Sequence, residues 1–314
     1  MQAVVYERNG GPEVLTVRDV PDVEPGDGEV LVDVEAVGVN FRDVYEREGR
    51  PPYTAAPPTV VGVEGAGTVV GTGERVAWLD VAGSYAARIA APRDKLVPVP
   101  DGVPADVAAA VMLQGCTAHY LAADSYPVAE GDWAVVHSAA GGVGLLLTQL
   151  VRARGGHVLA TTSTEEKAEL ARAAGADDVV VGYTGFADRV RALTGGEGAA
   201  VVYDGVGRTT FAAGLTALRP TGRMILFGAA SGPPEPLELA RLAAHGSLYV
   251  QRPTLVTYTR TAQMLRERAG AVLGLVAAGR LDVRIGGRYP LAQARRTHED
   301  LEARRTTGKL LLLP

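Results

Sequence analysis

Trp133-Ala134-Val135-Val136-His137-Ser138-Ala139-Ala140-Gly141-Gly142-Val143-Gly144 runs from a short apolar stretch of strand length through a glycine-rich turn. It continues into the apolar helix Leu145-Leu146-Leu147-Thr148-Gln149-Leu150-Val151. Strand, glycine turn and helix in that order are the setting in which a glycine motif reads as a dinucleotide site. Gly141 lets the backbone approach a pyrophosphate, and Gly144 lets the helix pack closely on the strand. The start of the helix offers free N–H groups and the positive end of its dipole to phosphates. Ala139 stands where the G-x-G-x-x-G pattern has its first glycine.

Downstream of this turn, strand and helix signals alternate: 158–162 then 165–174, 179–181 then 186–193, 200–203 then 209–218, 224–228 then 237–244, and a last strand at 248–251. Such alternation requires right-handed crossovers and a parallel sheet with helices on both faces, and with the strand at 133 the strands make a full Rossmann sheet. Upstream, short apolar runs such as 30–37 and 60–70 are densely punctuated by Pro and Gly, and helical periodicity is scarce before residue 105. That half predicts a mostly β domain of irregular barrel type. A long helical stretch, 261–278, leads to the apolar terminal strand Leu310-Leu311-Leu312-Leu313, which is expected to cross back and complete the first domain.

The 314 residues, 47% hydrophobic, suffice for two cores of ordinary domain size. A single cysteine, Cys116, excludes an internal disulfide and any multi-cysteine metal cluster, and fits a reducing cytoplasm. Net charge is -5 with no dense Lys/Arg run, so nucleic acid and anionic membranes find no electrostatic footprint. No apolar stretch of transmembrane length or signal-peptide pattern occurs, so a soluble, unprocessed cytoplasmic protein is expected.

Several motifs in order then identify a family. Gly10-Gly11-Pro12-Glu13-Val14-Leu15, Gly38-Val39-Asn40-Phe41-Arg42-Asp43-Val44-Tyr45, the turn from Ala139 to Gly144 with Gln149 and Arg152, Val202-Tyr203-Asp204-Gly205-Val206-Gly207, Gly246-Ser247-Leu248-Tyr249-Val250 and Gly308-Lys309-Leu310 resemble the zinc-free, zeta-crystallin-like quinone oxidoreductases. These belong to the medium-chain dehydrogenase/reductase superfamily, and the likeness covers essentially the whole chain. It implies an α/β fold in which a six-stranded Rossmann domain (113–283) accompanies a GroES-like irregular β-barrel domain (1–112 and 284–314).

Zinc alcohol dehydrogenases of the same superfamily hold their catalytic metal with cysteine, histidine and a second cysteine. The resemblance places Asn40, Val63 and Leu113 at those positions, so no metal is expected. The four-cysteine structural lobe is also missing from 77–91. Cys116 reads as a small buried filler, and the five histidines have no ligand spacing. Without a Lewis acid nothing stabilises a developing alkoxide, and the favoured direction becomes hydride delivery to an acceptor that is already electron-poor.

An NAD site usually carries Asp or Glu at the end of the second strand. Here that strand ends Ala160-Thr161-Thr162-Ser163, without a carboxylate. Ser163 and Glu166 have capping-box spacing, so Ser163 is expected to cap the next helix. Lys167 is a cation in the first turn of that helix, unfavourable unless an anion lies nearby, and a 2'-phosphate would be one. Taken alone it reads equally as a solvated surface residue. Glu165 is the competing ribose ligand. The resemblance gathers Lys167, Tyr183, Arg304 and Ser163 around the phosphate of NADPH. It gives Ala140, Gly141, Gly142, Val143 and Gly144 to the pyrophosphate, and Thr117, Phe227, Gly228 and Ala229 to the nicotinamide end.

The same likeness brings Asn40, Phe41 and Tyr45 to the cleft beside the nicotinamide. Asn40 and Tyr45, the candidate catalytic residues, can each donate a hydrogen bond to a carbonyl oxygen. Tyr45 either positions the acceptor or passes it a proton. The plainer alternative makes Asn40 a turn residue and Tyr45 packing. Gln114 replaces a lysine of some relatives. The expected activity is NADPH-dependent reduction of a small-molecule quinone. The alternatives are an enone or enoyl reductase and a non-catalytic NADPH-binding crystallin-like protein. A homodimer paired through the strand at 248–251 is the expected assembly.

Overall fold

A computed structural model describes all residues, Met1–Pro314. Its strands follow the change in sequence pattern. The first part contributes β1 (Gln2–Tyr6), β2 (Thr16–Asp19), β3 (Glu29–Val39), β4 (Thr59–Val60), β5 (Glu64–Val69), β6 (Arg75–Leu79), β7 (Arg88–Pro92) and β8 (Leu96–Pro98). Two helices belong to this stretch, α1 (Phe41–Arg47) and α2 (Ala105–Tyr120). The long β3 organises the unit. It pairs antiparallel with β7 through its first half and with β5 along its middle. A strand from the end of the chain pairs with its last residues, 37–39. Its burial accordingly changes from alternating to continuous. Val4, Tyr6, Val32, Val37 and Trp78 fill the core, and the buried Trp78 indole N–H is satisfied by Ser84 Oγ at 2.9 Å.

The middle part alternates strictly: β9 (Trp133–Val136), α3 (Gly142–Ala153), β10 (His157–Thr162), α4 (Glu165–Ala173), β11 (Asp178–Val181), α5 (Phe186–Leu193), β12 (Ala199–Asp204), α6 (Phe211–Ala217), β13 (Leu218–Leu226), α7 (Leu239–Ala244), β14 (Tyr249–Gln251) and α8 (Leu255–Tyr258). The sheet is parallel, in the order β11-β10-β9-β12-β13-β14. The strand order reverses between β9 and β12, and ligands of open α/β sheets bind outside the carboxyl ends of the strands at such a switch point. Burial grades outward as this architecture demands. Every residue of β12 is buried, β11 is half-buried, and Tyr249 and Val250 of the edge strand β14 are exposed. Val135, Leu159, Val202, Leu215 and Met224 form the centre of this core.

The chain then forms α9 (Ala262–Ala277), β15 (Ile285–Pro290), α10 (Ala294–Glu302) and β16 (Lys309–Leu313). β16 pairs antiparallel with the end of β3, as expected of a terminal strand that crosses back. The compact units are Met1–Cys116 with Thr259–Pro314, and Thr117–Tyr258. These bounds differ from the expected breaks after 112 and at 284. The first break falls within α2, and α9 belongs with the β-rich unit. Its apolar stripe of Leu265, Ala269, Val272 and Leu273 is buried, and α9 packs on β8. Val272 approaches Gly115 so closely that a Cβ there would lie 2.6 Å from its methyl. Periodicity identifies the apolar stripe of a helix but not the surface that receives it.

Candidate active site

The glycine turn continues from β9 and is hooked onto the carboxyl ends of its two neighbours. His137 N donates to Tyr203 O of β12 (3.1 Å) and Ala139 N to Thr161 O of β10 (3.0 Å), while Gly141 N to Ser138 O (2.9 Å) closes the turn on itself. The left-handed residue is Ser138 (φ 52°), so Ala139 fills the first motif position without left-handed strain. A Cβ on Gly144 would lie 2.5 Å from Ser138 O and 2.6 Å from Ala139 Cα, against 3.2 Å from Ser138 O for one on Gly141. Gly144 thus fixes the approach of helix to turn, and Gly141 caps α3 with extended backbone. Gly142, Val143 and Gly144 open the helix, which has no acidic residue in its first turn, and Ala140 is buried beneath. Under the turn, the His137 ring meets Thr161 Oγ1 (2.8 Å) and packs edge-on against Phe186. Burial pushes its pKa down to about 4, so it stays neutral.

Several expected partners of the dinucleotide gather in this same unit. Tyr183 OH lies 3.2 Å from Ser138 Oγ. Lys167 is half-buried in the first turn of α4. The cap of that helix is Thr164, not Ser163: Thr164 Oγ1 accepts from Lys167 N at 3.3 Å. β10 runs through Thr162, and the chain needs both Ser163 and Thr164 to leave the sheet before it coils, which shifts the cap by one residue. Glu165, the competing ribose ligand, is drawn along the helix to Arg172 (2.7 Å). Phe227, Gly228 and Ala229 follow β13. Phe227 N donates to Asp204 O (2.9 Å), and a Cβ on Gly228 would lie 2.7 Å from Gly205 O. Asp204, fully buried, accepts from Val206 N, Gly207 N and the Thr210 hydroxyl, which makes that turn rigid. Thr117, buried, begins the unit. Arg304 is exposed beyond α10 (φ 56°), and with Asn40, Phe41 and Tyr45 it belongs to the other unit.

In that other unit, Asn40 ends β3 and precedes α1, where Asp43 Oδ2 accepts from its backbone N–H (2.9 Å). Its side chain does not serve as the free donor expected from sequence. Asn40 Nδ2 donates to Gly38 O (3.1 Å) and Glu64 Oε2 (2.8 Å), and Oδ1 accepts from Gln114 Nε2 (2.9 Å) and Lys309 Nζ (2.8 Å). Both amide hydrogens are spent within the protein, and the residue is 3% exposed. Lys309, buried beside Glu64 (2.5 Å), also donates to Gln114 Oε1 (2.7 Å). Burial lowers its pKa and the Glu64 carboxylate opposes that shift. Sequence reasoning passed over Glu64 and Lys309 because they lie far from Asn40 along the chain. The available signal was one of only three lysines opening an otherwise all-leucine strand.

Tyr45, half-buried on α1, stacks with Tyr53 (6.2 Å between centroids), lies beside Phe41 (6.3 Å), and carries the Arg50 guanidinium over its ring. The inner face of α1 is locked by Asp43, whose carboxylate accepts from Tyr85 OH (2.9 Å); Tyr85 OH meets His298 Nε2 (3.2 Å), and His298 Nδ1 meets Arg47 (3.1 Å). Burial raises Asp43 to about 7. Burial and the Arg47 charge lower His298 to about 3.

These residues do not fit a catalytic zinc. Val63 and Leu113 carry no donor, the Asn40 amide is committed, and no three His, Cys, Asp or Glu side chains converge as a metal site. Cys116 is buried, and desolvation pushes its thiol up to about 12, which makes it filler rather than a ligand or nucleophile. A dinucleotide does fit, on the close approach at Gly144, the acid-free first turn of α3 and the cation Lys167.

Fold and turn together define a chain of two units, one of them a Rossmann-type dinucleotide-binding unit. The alcohol dehydrogenase GroES-like domain model matches residues 26–101, and the zinc-binding dehydrogenase model matches residues 142–269. The chain is 42% identical to a quinone oxidoreductase of Pseudomonas aeruginosa, over 99% of both chains. It is 37% identical to a 2-haloacrylate reductase of a Burkholderia species, over 100% of this chain and 99% of that one. The solved structure of a mycobacterial protein complexed with NADPH superposes over the whole of both chains with a TM-score of 0.95 at 47% identity. The chain belongs to the zinc-free quinone oxidoreductase family of the medium-chain dehydrogenase/reductase superfamily.

Proposed function

We propose that this protein is an NADPH-dependent reductase that delivers hydride to a quinone or similar conjugated carbonyl without zinc. When bound, the reduced nicotinamide supplies the hydride. The chain's own residues bind, orient and exclude. N–H groups of Gly142 to Gly144 hold the pyrophosphate at the positive end of α3. Lys167, with Tyr183, Ser163 and Arg304, holds the 2'-phosphate. Thr117, Phe227, Gly228 and Ala229 hold the nicotinamide end. Phe41 and Tyr45 offer the acceptor an aromatic surface, and Asn40 holds the start of α1 that carries them. One hydride and one solvent proton convert quinone to hydroquinone as NADPH becomes NADP+.

The observation that carries this reading is the closed set of side chains around Lys309. Asn40, Glu64 and Gln114 satisfy it and one another, leaving no donor set for a Lewis acid. Such a site suits an acceptor that is already electron-poor. NADPH oxidation with 1,4-benzoquinone should exceed the protein-free rate and be indifferent to a chelator; a rate no higher than the control refutes the proposal. Reduction of an electron-poor alkene is the second reading, favoured by the 2-haloacrylate reductase likeness. A panel of quinones, 2-alkenals and enoyl thioesters separates the two.

The proposed setting is the cytoplasm, in keeping with the single buried thiol and with the absence of any helix long and apolar enough to cross a membrane. The proposed assembly is a homodimer joined along β14, an edge strand with Tyr249 58% and Val250 38% exposed. Light scattering should give twice the chain mass, and a monomer at micromolar concentration would exclude it.

A further inference from the structure

We infer that Gln114 is the hydrogen-bond donor to the acceptor's carbonyl oxygen, and that Lys309 is the positioning residue that aims and polarises it. This rests on the reductase reading above and specifies which side chain performs the polarisation. Four segments bring their side chains together here: Asn40 after β3, Glu64 at the start of β5, Gln114 on α2 and Lys309 at the start of β16.

Nearly every polar hydrogen of the group is accounted for. Lys309 spends its three N–H bonds on Asn40 Oδ1, Glu64 Oε2 and Gln114 Oε1. Asn40 Nδ2 spends both of its own on Gly38 O and Glu64 Oε2. Glu64 Oε1 accepts from Leu113 N at 2.6 Å. Gln114 Nε2 gives one hydrogen to Asn40 Oδ1 and has one left. Asn40, Glu64 and Lys309 are at most 3% exposed, whereas Gln114 is half-buried, so this last hydrogen is the network's outlet. Both amide orientations are dictated. Flipping Gln114 would set its NH2 against the Lys309 ammonium, and flipping Asn40 would set its oxygen against Glu64.

An ammonium ion hydrogen-bonded to an amide oxygen draws charge through the amide and strengthens its N–H as a donor, as linked hydrogen bonds polarise one another. As hydride reaches the acceptor, negative charge grows on the carbonyl oxygen, and a donor fixed beforehand stabilises that charge most. Gly38 belongs to the same device, since a Cβ there would lie 2.3 Å from Glu64 Oε2 and 2.7 Å from Lys309 Cε.

The test uses Gln114→Leu and Gln114→Glu in the full chain. Loss of one such donor lowers turnover by roughly 10²-fold, and kcat/KM for 1,4-benzoquinone should fall by about that factor in both variants while NADPH affinity stays at the wild-type value. The melting temperature should drop in Gln114→Leu, which removes an acceptor of the buried Lys309 ammonium, and less in Gln114→Glu, whose carboxylate still accepts from it. A readout independent of turnover is 4-nitrophenolate, a stable aromatic oxyanion titrated by absorbance into the NADP+-loaded protein. Its affinity should drop by about the same factor in each variant. In the Glu64→Gln/Lys309→Met background, which leaves no unpaired charge, adding Gln114→Leu should produce little further loss, since the two positions act as one unit. Wild-type quinone kinetics and wild-type nitrophenolate affinity in Gln114→Leu would overturn the inference and leave the reductase reading intact. Gln114-dependent nitrophenolate binding with no quinone turnover would overturn that reading and leave the donor assignment standing.

Discussion

Gly144→Ala tests the link between backbone packing and cofactor binding. The added methyl would stand 2.5 Å from Ser138 O, 2.6 Å from Ala139 Cα and 2.8 Å from Ala139 C, whereas ordinary contact begins at 3.4 Å. All three atoms are backbone, so no side chain can swing aside and turn and helix must separate by nearly the whole deficit. Overpacking of this kind costs about 1–3 kcal/mol. The turn is tied to β10 by Ala139 N to Thr161 O at 3.0 Å, and a retreat of that size carries this bond out of hydrogen-bond range. The helix N–H groups move with it. Two charge-assisted bonds to phosphate, at about 1.5–3 kcal/mol each, correspond to a loss of roughly 10²–10⁴-fold in NADPH affinity. Titration by nicotinamide fluorescence measures that loss, and thermal unfolding measures the destabilisation. Gly141→Ala is the internal control. Its methyl would meet the same oxygen at 3.2 Å, which a shift of a few tenths of an ångström relieves, so its melting temperature should stay near that of the wild type. A Gly144→Ala protein with wild-type affinity and melting temperature would refute the reasoning.

Lys167→Ala should weaken NADPH about 10-fold, the low end for a charge-assisted bond at a half-exposed site, while changing NADH affinity less than about twofold; equal losses for both would remove Lys167 from the 2'-phosphate. Lys309→Met strands the buried Glu64 carboxylate and should cost about 3–5 kcal/mol in urea unfolding, most of it recovered in Glu64→Gln/Lys309→Met. The His298 pKa is lowered to about 3, below the ordinary 6.5, so its contribution to stability is complete above pH 6.5 and is lost as pH falls toward 3. The stability advantage of the wild type over His298→Gln should therefore shrink by about 2 kcal/mol between pH 7 and pH 5, and an advantage that grows on acidification would contradict a buried neutral imidazole.

The glycine turn was legible because its chemistry is local: strand, turn and helix are contiguous, and Gly144 meets Ser138 and Ala139 only a few residues away. The alternation after residue 133 was legible for the same reason, since each crossover is a short-range pattern of periods. Legibility failed where a choice depended on distant surfaces. α9 was recognisable as an amphipathic helix, but only packing against β8 and Gly115 shows which unit it joins. The cap at Thr164 in place of Ser163 turns on where β10 releases the chain, a matter of one residue in sheet register. That the Asn40 side chain is taken up within the protein is invisible in the sequence, because its partners Glu64, Gln114 and Lys309 lie far along the chain.

By itself the sequence determined the two-part architecture and the dinucleotide turn, because each is a property of residue type and near spacing, and the family resemblance added that Asn40, Val63 and Leu113 stand where relatives hold zinc. Tertiary structure alone decided what stands in place of the metal ligands. Three side chains that no periodicity connects meet around the buried Lys309 ammonium, and low dielectric drives all but one of the polar hydrogens there to a partner. That constraint acts only between groups already brought together by the fold. It commits both amide hydrogens of Asn40 within the protein and leaves Gln114 with one hydrogen to give.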